Sequence, residues 1–299
     1  MIKNYFTDKT EIIEIESKEL IQYKKDEEEK LELLAQQISK ETNVPITSIY
    51  TGKYNCRIGN WHKIDGKYYY FKPRRDDFDF FNELIGEFIS MYFDLDTVHY
   101  KIAKLSIQGE KDQYGIISEN FCEKEYTYKS LRNYISEIDK LLIYEPIYNL
   151  LDQIKSICKT DEEFELLQDD LKKLIIRHYY NTQRDGGNGQ NIMLKKNQNG
   201  IRLATLYDYE DAYFNYENMH RCFWNIGEFN ILDENTQNLL RNNPRFQELL
   251  CKLMDADISS FITQVEDIHK VLMPKRRKAH YQKYEAKVKK LVIENNLIK

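Results

Sequence analysis

The apolar and polar positions divide the chain into an amino-terminal stretch, a strand-rich stretch and a mostly helical remainder. Residues 1–16 predict a short strand or an irregular arm anchored by Ile12, Ile13 and Ile15. Over 17–40, Leu20, Ile21, Leu31, Leu33, Leu34 and Ile38 recur at near-helical spacing and predict a charged amphipathic helix. Asn43-Val44-Pro45 ends it, because a proline disfavours the helical conformation in the residue before it. The pattern then predicts strands at 46–50, 57–64 and 67–72, with Asp65-Gly66 as a tight turn. A helix over 78–95 and strands over 98–106 and 114–121 follow. Beyond Glu125 the reading is mostly helical, over 131–155, 161–180 and 223–272, with Thr160-Asp161 as a cap. Two short strands, 192–194 and 201–207, interrupt it around a polar turn, and a basic run at 275–278 opens a last helix. These elements predict an α+β, bilobal fold: a helical extension over 1–45, a β-rich lobe over 46–122 and a helical lobe over 123–299.

Composition narrows the classes. A length of 299 residues suits one bilobal unit or two domains, and 41% hydrophobic content supports a sizeable core. A net charge of −5 with the two signs interspersed argues against a general nucleic-acid binder, which would carry a basic face. There is no apolar run of membrane-spanning length, and MIKNYFTDKTEIIEIE lacks the apolar core of a secretory signal. Five scattered cysteines form no CxxC pair, so reduced thiols in a cytoplasmic protein are expected, without a zinc site.

The stretch richest in chemistry is NTQRDGGNGQNIMLKKNQNGIRLATLYDYED, from Asn181 to Asp211. A polar, glycine-rich loop carries Asp185, Asn188 and Asn191; a hairpin follows and delivers Asp208. An Asp and an Asn on a loop, then a hairpin, then another Asp, is the order of a kinase catalytic loop and its metal-binding carboxylate. Phosphoryl transfer needs a base to orient the attacking hydroxyl, and an amide plus a carboxylate to hold magnesium against the phosphates. Such a loop is also what an ordinary hairpin cap looks like; the flanking helix and strands raise the functional reading above it.

The first lobe supplies matching parts. Lys72 closes the aromatic strand KYYYFK, where a kinase lysine contacts the nucleotide phosphates and pairs with a helix glutamate. Glu83 and Glu87 lie four apart on an apolar helix, where an unpaired carboxylate is costly; Glu83 is the favoured partner of Lys72. Gly52 and Lys53 lie on a loop whose amides could cover phosphates, although no GxGxxG is present. The segment GIISENF, with Ser118, Glu119 and Phe121, would leave the sheet as a hinge whose backbone can bond an adenine edge.

On YYYFKP, FFNELIGEFISMYFDL, GIISENF, NTQRDGGNGQNIML and LATLYDYEDAY, the chain resembles the HipA-like serine/threonine kinases of the protein-kinase-like superfamily, over roughly residues 46–270. The resemblance implies ATP and Mg2+ as cofactors, with Lys72 and Glu83 positioning ATP, Asp185 as base, and Asn191 and Asp208 holding the metal. It implies a protein substrate and permits an antitoxin or other regulatory protein as partner. The loop departs from the family. Asp185 and Asn191 are six apart where the family has five, which leaves Asn188 as a competing ligand, and Gly187 replaces a basic residue. The competing readings are a small-molecule kinase of the aminoglycoside or choline type, although the His those enzymes carry before the Asp is absent, and a nucleotide-binding pseudokinase.

Overall fold

The computed structural model describes residues 2–17, 28–50, 57–74, 76–131, 133–134, 151, 154–181, 192–207, 221–224 and 227–299. The fold is mixed α+β: a curled sheet forms the first lobe and helices dominate the second.

The sheet has five strands: β1 (Ile12–Ser17), β2 (Trp61–Ile64), β3 (Lys67–Pro73), β4 (Tyr100–Ile107) and β5 (Gln113–Glu119), in the order β1-β4-β5-β3-β2. Asp65 and Gly66 join β2 to β3 with φ of 49° and 82°, the left-handed pair that a two-residue hairpin demands. Gly115 meets β3 where no side chain fits, since a Cβ there would lie 2.1 Å from the Lys72 carbonyl oxygen. β1 comes from the segment read as an amino-terminal extension and pairs parallel with β4, Ile12 opposite Ile102.

Ahead of β1, residues 2–10 lie against the far end of the chain. Phe6 bridges Val271, Leu272 N donates to Tyr5 O at 2.8 Å, and the Thr7 and Thr10 hydroxyls donate to Lys270 O. Helix α1 (Glu28–Thr42) follows β1 in sequence, and Asn43 fastens its end to the later chain by donating to Glu123 O and Tyr126 O at 2.7 and 2.6 Å.

Three expectations are corrected. Residues 46–50, read as a strand, form the helical turn α2 (Ile46–Ile49), because Pro45 presets the turn and Ile49 and Tyr50 are buried in a cluster with α1. The helix predicted from residue 17 is strand at that residue and helical over Glu28–Thr42. Beyond Glu125 the expected hairpin forms as β7 (Met193–Asn197) and β8 (Gly200–Leu203), but β6 (Thr127–Ser130), which pairs with β7, and the pair β9 (Arg221–Trp224) and β10 (Gly227–Asn230) were not expected. Thr-Tyr-Lys-Ser and Arg-Cys-Phe-Trp are short, with β-branched or aromatic residues favoured on a pleated surface, and carry too few positions for a helical period.

Helix α3 (Asp77–Tyr92) is the centre of the molecule. Asp76 caps it, accepting from Phe78 N and Asp79 N at 2.9 and 3.0 Å. Phe80, Phe81, Leu84, Ile85 and Ile89 have no exposed surface, and each such side chain contributes about 1.5–3 kcal/mol by leaving water. One cluster joins α3 to Ile102 and Ile116 of the sheet and to the helices α4 (Asp161–Asn181), α5 (Glu234–Asn242), α6 (Pro244–Asp255), α7 (Ile258–His269) and α8 (Lys275–Glu294). Most of these helices start on a side-chain cap: Thr160, Asp233, Asn243 and Asp257 each accept from an early backbone amide. No helix among the described residues is long and apolar enough to cross a membrane.

α8 is less a solvated basic helix than its sequence suggests. Arg276 and Arg277 donate to Asp77 at 2.8 and 2.7 Å, and Tyr281 donates to the buried Asn82 at 2.7 Å. Tyr5 adds a hydrogen bond to Asp77 at 3.3 Å. Burial opposes the charge on Asp77, but hydrogen bonds and charges from Arg277 and Arg276 outweigh it and bring its pKa down to about 2.

Candidate functional site

The lobes meet around a cleft of about 490 Å³, a size typical of small-molecule sites. β3 carries Tyr70 and Lys72 to one wall, and the alternation of the strand sends both to the same face. Val44, Pro45, Thr47 and Ser48 of the α1–α2 segment line the cleft too, with Arg57 and Trp61. Residues Ser118 to Cys122 border the cleft where the chain leaves the sheet. The β4–β5 ladder closes at Tyr100 and Ser118, so the Glu119 and Phe121 peptide groups lie past its last rung. Met193 of β7 and Tyr207 supply apolar surface from the second lobe, and the Phe121 and Tyr207 rings stack with centroids 5.6 Å apart. Cys122 also faces the cleft, but burial, helped by Glu123, pushes its thiol up to about 12, so it is no nucleophile there.

At the inner end of the cleft stands a buried charged cluster. Lys72 Nζ donates to Glu83 Oε1 at 2.9 Å, Arg74 donates to the same oxygen, and the Tyr100 hydroxyl donates to Oε2 at 2.7 Å. The Glu83 side chain is fully buried, while that of Lys72 keeps 14% of its surface. A carboxylate without water needs compensating cations and hydrogen bonds, and Glu83 has both. Glu87, one turn along α3, accepts from Tyr100 N at 3.1 Å and lies 2.9 Å from His99 Nδ1. Its burial raises its pKa, partly offset by His99 and the Tyr100 amide.

No protein-family model and no curated protein sequence matches the chain. Among solved structures it is similar to the proinflammatory kinase CtkA of Helicobacter pylori. The identity is 14% and the TM-score 0.55, over 79% of this chain and 91% of that one. The fold is protein-kinase-like. A chain of the Shewanella oneidensis complex of HipA, HipB and operator DNA also aligns, at 13% identity and a TM-score of 0.47, over 87% of this chain and 70% of that one. That similarity is too slight to add to the assignment.

β3 with Lys72, α3 with Glu83 and the segment 118–122 are brought together at one cleft. Lys72 meets Glu83, and Ser118, Glu119 and Phe121 all border the cleft. Gly52, Lys53, Asp185, Asn188, Asn191 and Asp208 lie outside the described residues. Among the described residues no group of His, Cys, Asp and Glu could hold a metal ion. Arg74 and Tyr100 were not singled out from sequence. Arg74 stands two residues after Lys72 and one past the end of β3, where its amide still donates to Tyr114 O at 3.0 Å. Tyr100 had no such signal, being brought to Glu83 by the β4–β5 ladder.

Proposed function

We propose that the chain is an ATP- and Mg2+-dependent phosphotransferase that moves the γ-phosphate to a serine or threonine hydroxyl of a protein acceptor. The observation that carries this reading is the Lys72–Glu83 pair, buried at the inner end of a cleft bordered by the backbone of 118–122. The cleft fits a nucleotide. Its apolar walls (Met193, Tyr207, Phe121) suit a base, the peptide groups past the last β4–β5 rung suit its edge, and Lys72 suits the phosphates. ATP supplies the phosphoryl group, and Mg2+, when held by Asp208 with Asn191 or Asn188, neutralises its charge. Lys72 orients the phosphates, Glu83 and Tyr100 hold Lys72 in register, and Asp185 accepts the proton of the acceptor hydroxyl. A regulatory protein partner and a cytoplasmic setting complete the reading.

The test is transfer of labelled phosphate from γ-labelled ATP with Mg2+, by wild type, Asp185→Ala and Lys72→Ala, onto the protein itself, generic protein acceptors and a small-molecule panel. Label on protein, lost in both variants, is expected. Label only on a small molecule, or binding of Mg·ATP without transfer, overturns it.

A further inference from the structure

Arg57 is a cleft cation whose charge is not taken up among the described residues. It lines the cleft with Lys72, is exposed, and its side chain makes no hydrogen bond or ion pair there. Glu119, a carboxylate bordering the cleft, is held by Lys67 at 2.7 Å, and Lys72 donates to Glu83 at 2.9 Å. The root of Arg57, by contrast, is fixed. Its amide donates to Ile49 O at 2.8 Å, and Ile49 and the following residue, Ile58, are buried in the cluster with α1. β2 runs antiparallel to β3 with Trp61 opposite Tyr70, so the chain before Trp61 and the chain after Tyr70 lie toward the same end of the hairpin. Arg57 and Lys72 reach the cleft from that shared end.

Resting on the phosphotransferase reading, we propose that Arg57 is a second phosphate-binding residue of the cleft, meeting the oxygens of the nucleoside triphosphate from the β2 side while the Lys72–Glu83 pair stays in place. Charge is the first reason. A triphosphate brings several negative charges, and Lys72 meets them with its own charge already shared with Glu83. Freedom is the second. An arginine held at its root and unengaged at its tip turns to a ligand without giving up a hydrogen bond, so binding costs only the ordering of that side chain. Shape is the third. The guanidinium fork matches two phosphate oxygens at once, which an ammonium cannot do. The chain carries a net charge of −5, so an uncompensated cation facing the cleft is no by-product of a generally basic surface.

The experiment is titration calorimetry of the full chain with Mg·ATP and with adenosine, thermal unfolding being followed alongside. Arg57→Ala is expected to weaken Mg·ATP roughly tenfold, leave adenosine unchanged and keep the wild-type unfolding midpoint. Arg57→Gln, which keeps a polar side chain and removes the charge, should lose as much, and it carries the test if the alanine variant does not fold. Two outcomes overturn the proposal. One is wild-type Mg·ATP affinity in a folded variant; a raised KM for the protein acceptor in that same variant would then assign Arg57 to an acidic acceptor instead. The other is an equal loss for adenosine, which would place the effect in the base pocket. A wild-type chain that binds no Mg·ATP overturns the phosphotransferase reading itself, and this proposal with it.

Discussion

Glu83 and Glu87 are the same residue one turn apart on the same helix, both buried, yet their surroundings differ. Glu83 is wrapped by two cations and a tyrosine hydroxyl at the cleft. Glu87 is turned toward the start of β4, where its neighbours are a backbone amide and a histidine whose side chain is 73% exposed. The difference teaches that burial alone does not decide how a carboxylate is compensated. What distinguishes Glu83 is charge compensation from a strand that also lines the cleft. Glu87 has the environment of a structural group that ties α3 to β4 through the Tyr100 amide.

Four substitutions would break or sharpen that contrast. Glu83→Ala should have the largest effect. It leaves Lys72 and Arg74 without their shared carboxylate and is expected to cost about 3 kcal/mol of stability and to abolish phosphate transfer. Denaturant unfolding and the labelled-phosphate assay check both. Asp77→Asn should follow. The depressed Asp77 pKa, about 2 against an ordinary 3.8, corresponds to about 2 kcal/mol. Because the folded state lowers this pKa, the stabilisation is present above about pH 4 and is lost as the pH falls toward 2. The variant should therefore be less stable at neutral pH and lose that part of the acid dependence, read from unfolding midpoints at several pH values.

Gly115→Ala tests the Glu83 side without touching either glutamate. The new Cβ would strike the Lys72 carbonyl, push β3 away from β5 and displace Lys72, at a cost of roughly 1–3 kcal/mol together with weaker Mg·ATP binding. Glu87→Gln should matter least, within about 1 kcal/mol at neutral pH. Its sign is the reverse of that for Asp77. A raised folded pKa means the native protein holds the proton more tightly, so the contribution of Glu87 declines as pH rises above 4.5, and the glutamine variant flattens that slope. A Glu87→Gln variant as damaged in phosphate transfer as Glu83→Ala would erase the contrast.

The parts of this arrangement that were legible in the sequence are those fixed by short range. Lys72 and Glu83 stand eleven residues apart across a strand end and a capped helix, so their types and elements were enough to pair them. Asp65-Gly66 announced its hairpin through conformational preference alone. Residues 46–50 misled because a short run with Ile, Thr and Ile satisfies strand and helical turn alike, and Pro45 decides between them. Asp77 with Arg277 could not be read at all, since the partners are separated by 200 positions and each looks like an ordinary solvated charge. Tyr100 belongs to the same class: its role depends on strand order, which periodicity does not specify.

The amino-terminal arm carries a consequence for motion. A two-lobed enzyme joined only by its linker can swing open like a book on its spine. Here residues 2–10 are stitched to Lys270–Leu272 while the following strand is laced into the first-lobe sheet, so the chain crosses between the lobes a second time. With the packing of α3 on the helical lobe, this tie opposes a simple swing and leaves sliding and twisting as the easier relative movements. Residues 2–10, which a sequence reader would gladly trim, behave mechanically as a further binding on the book.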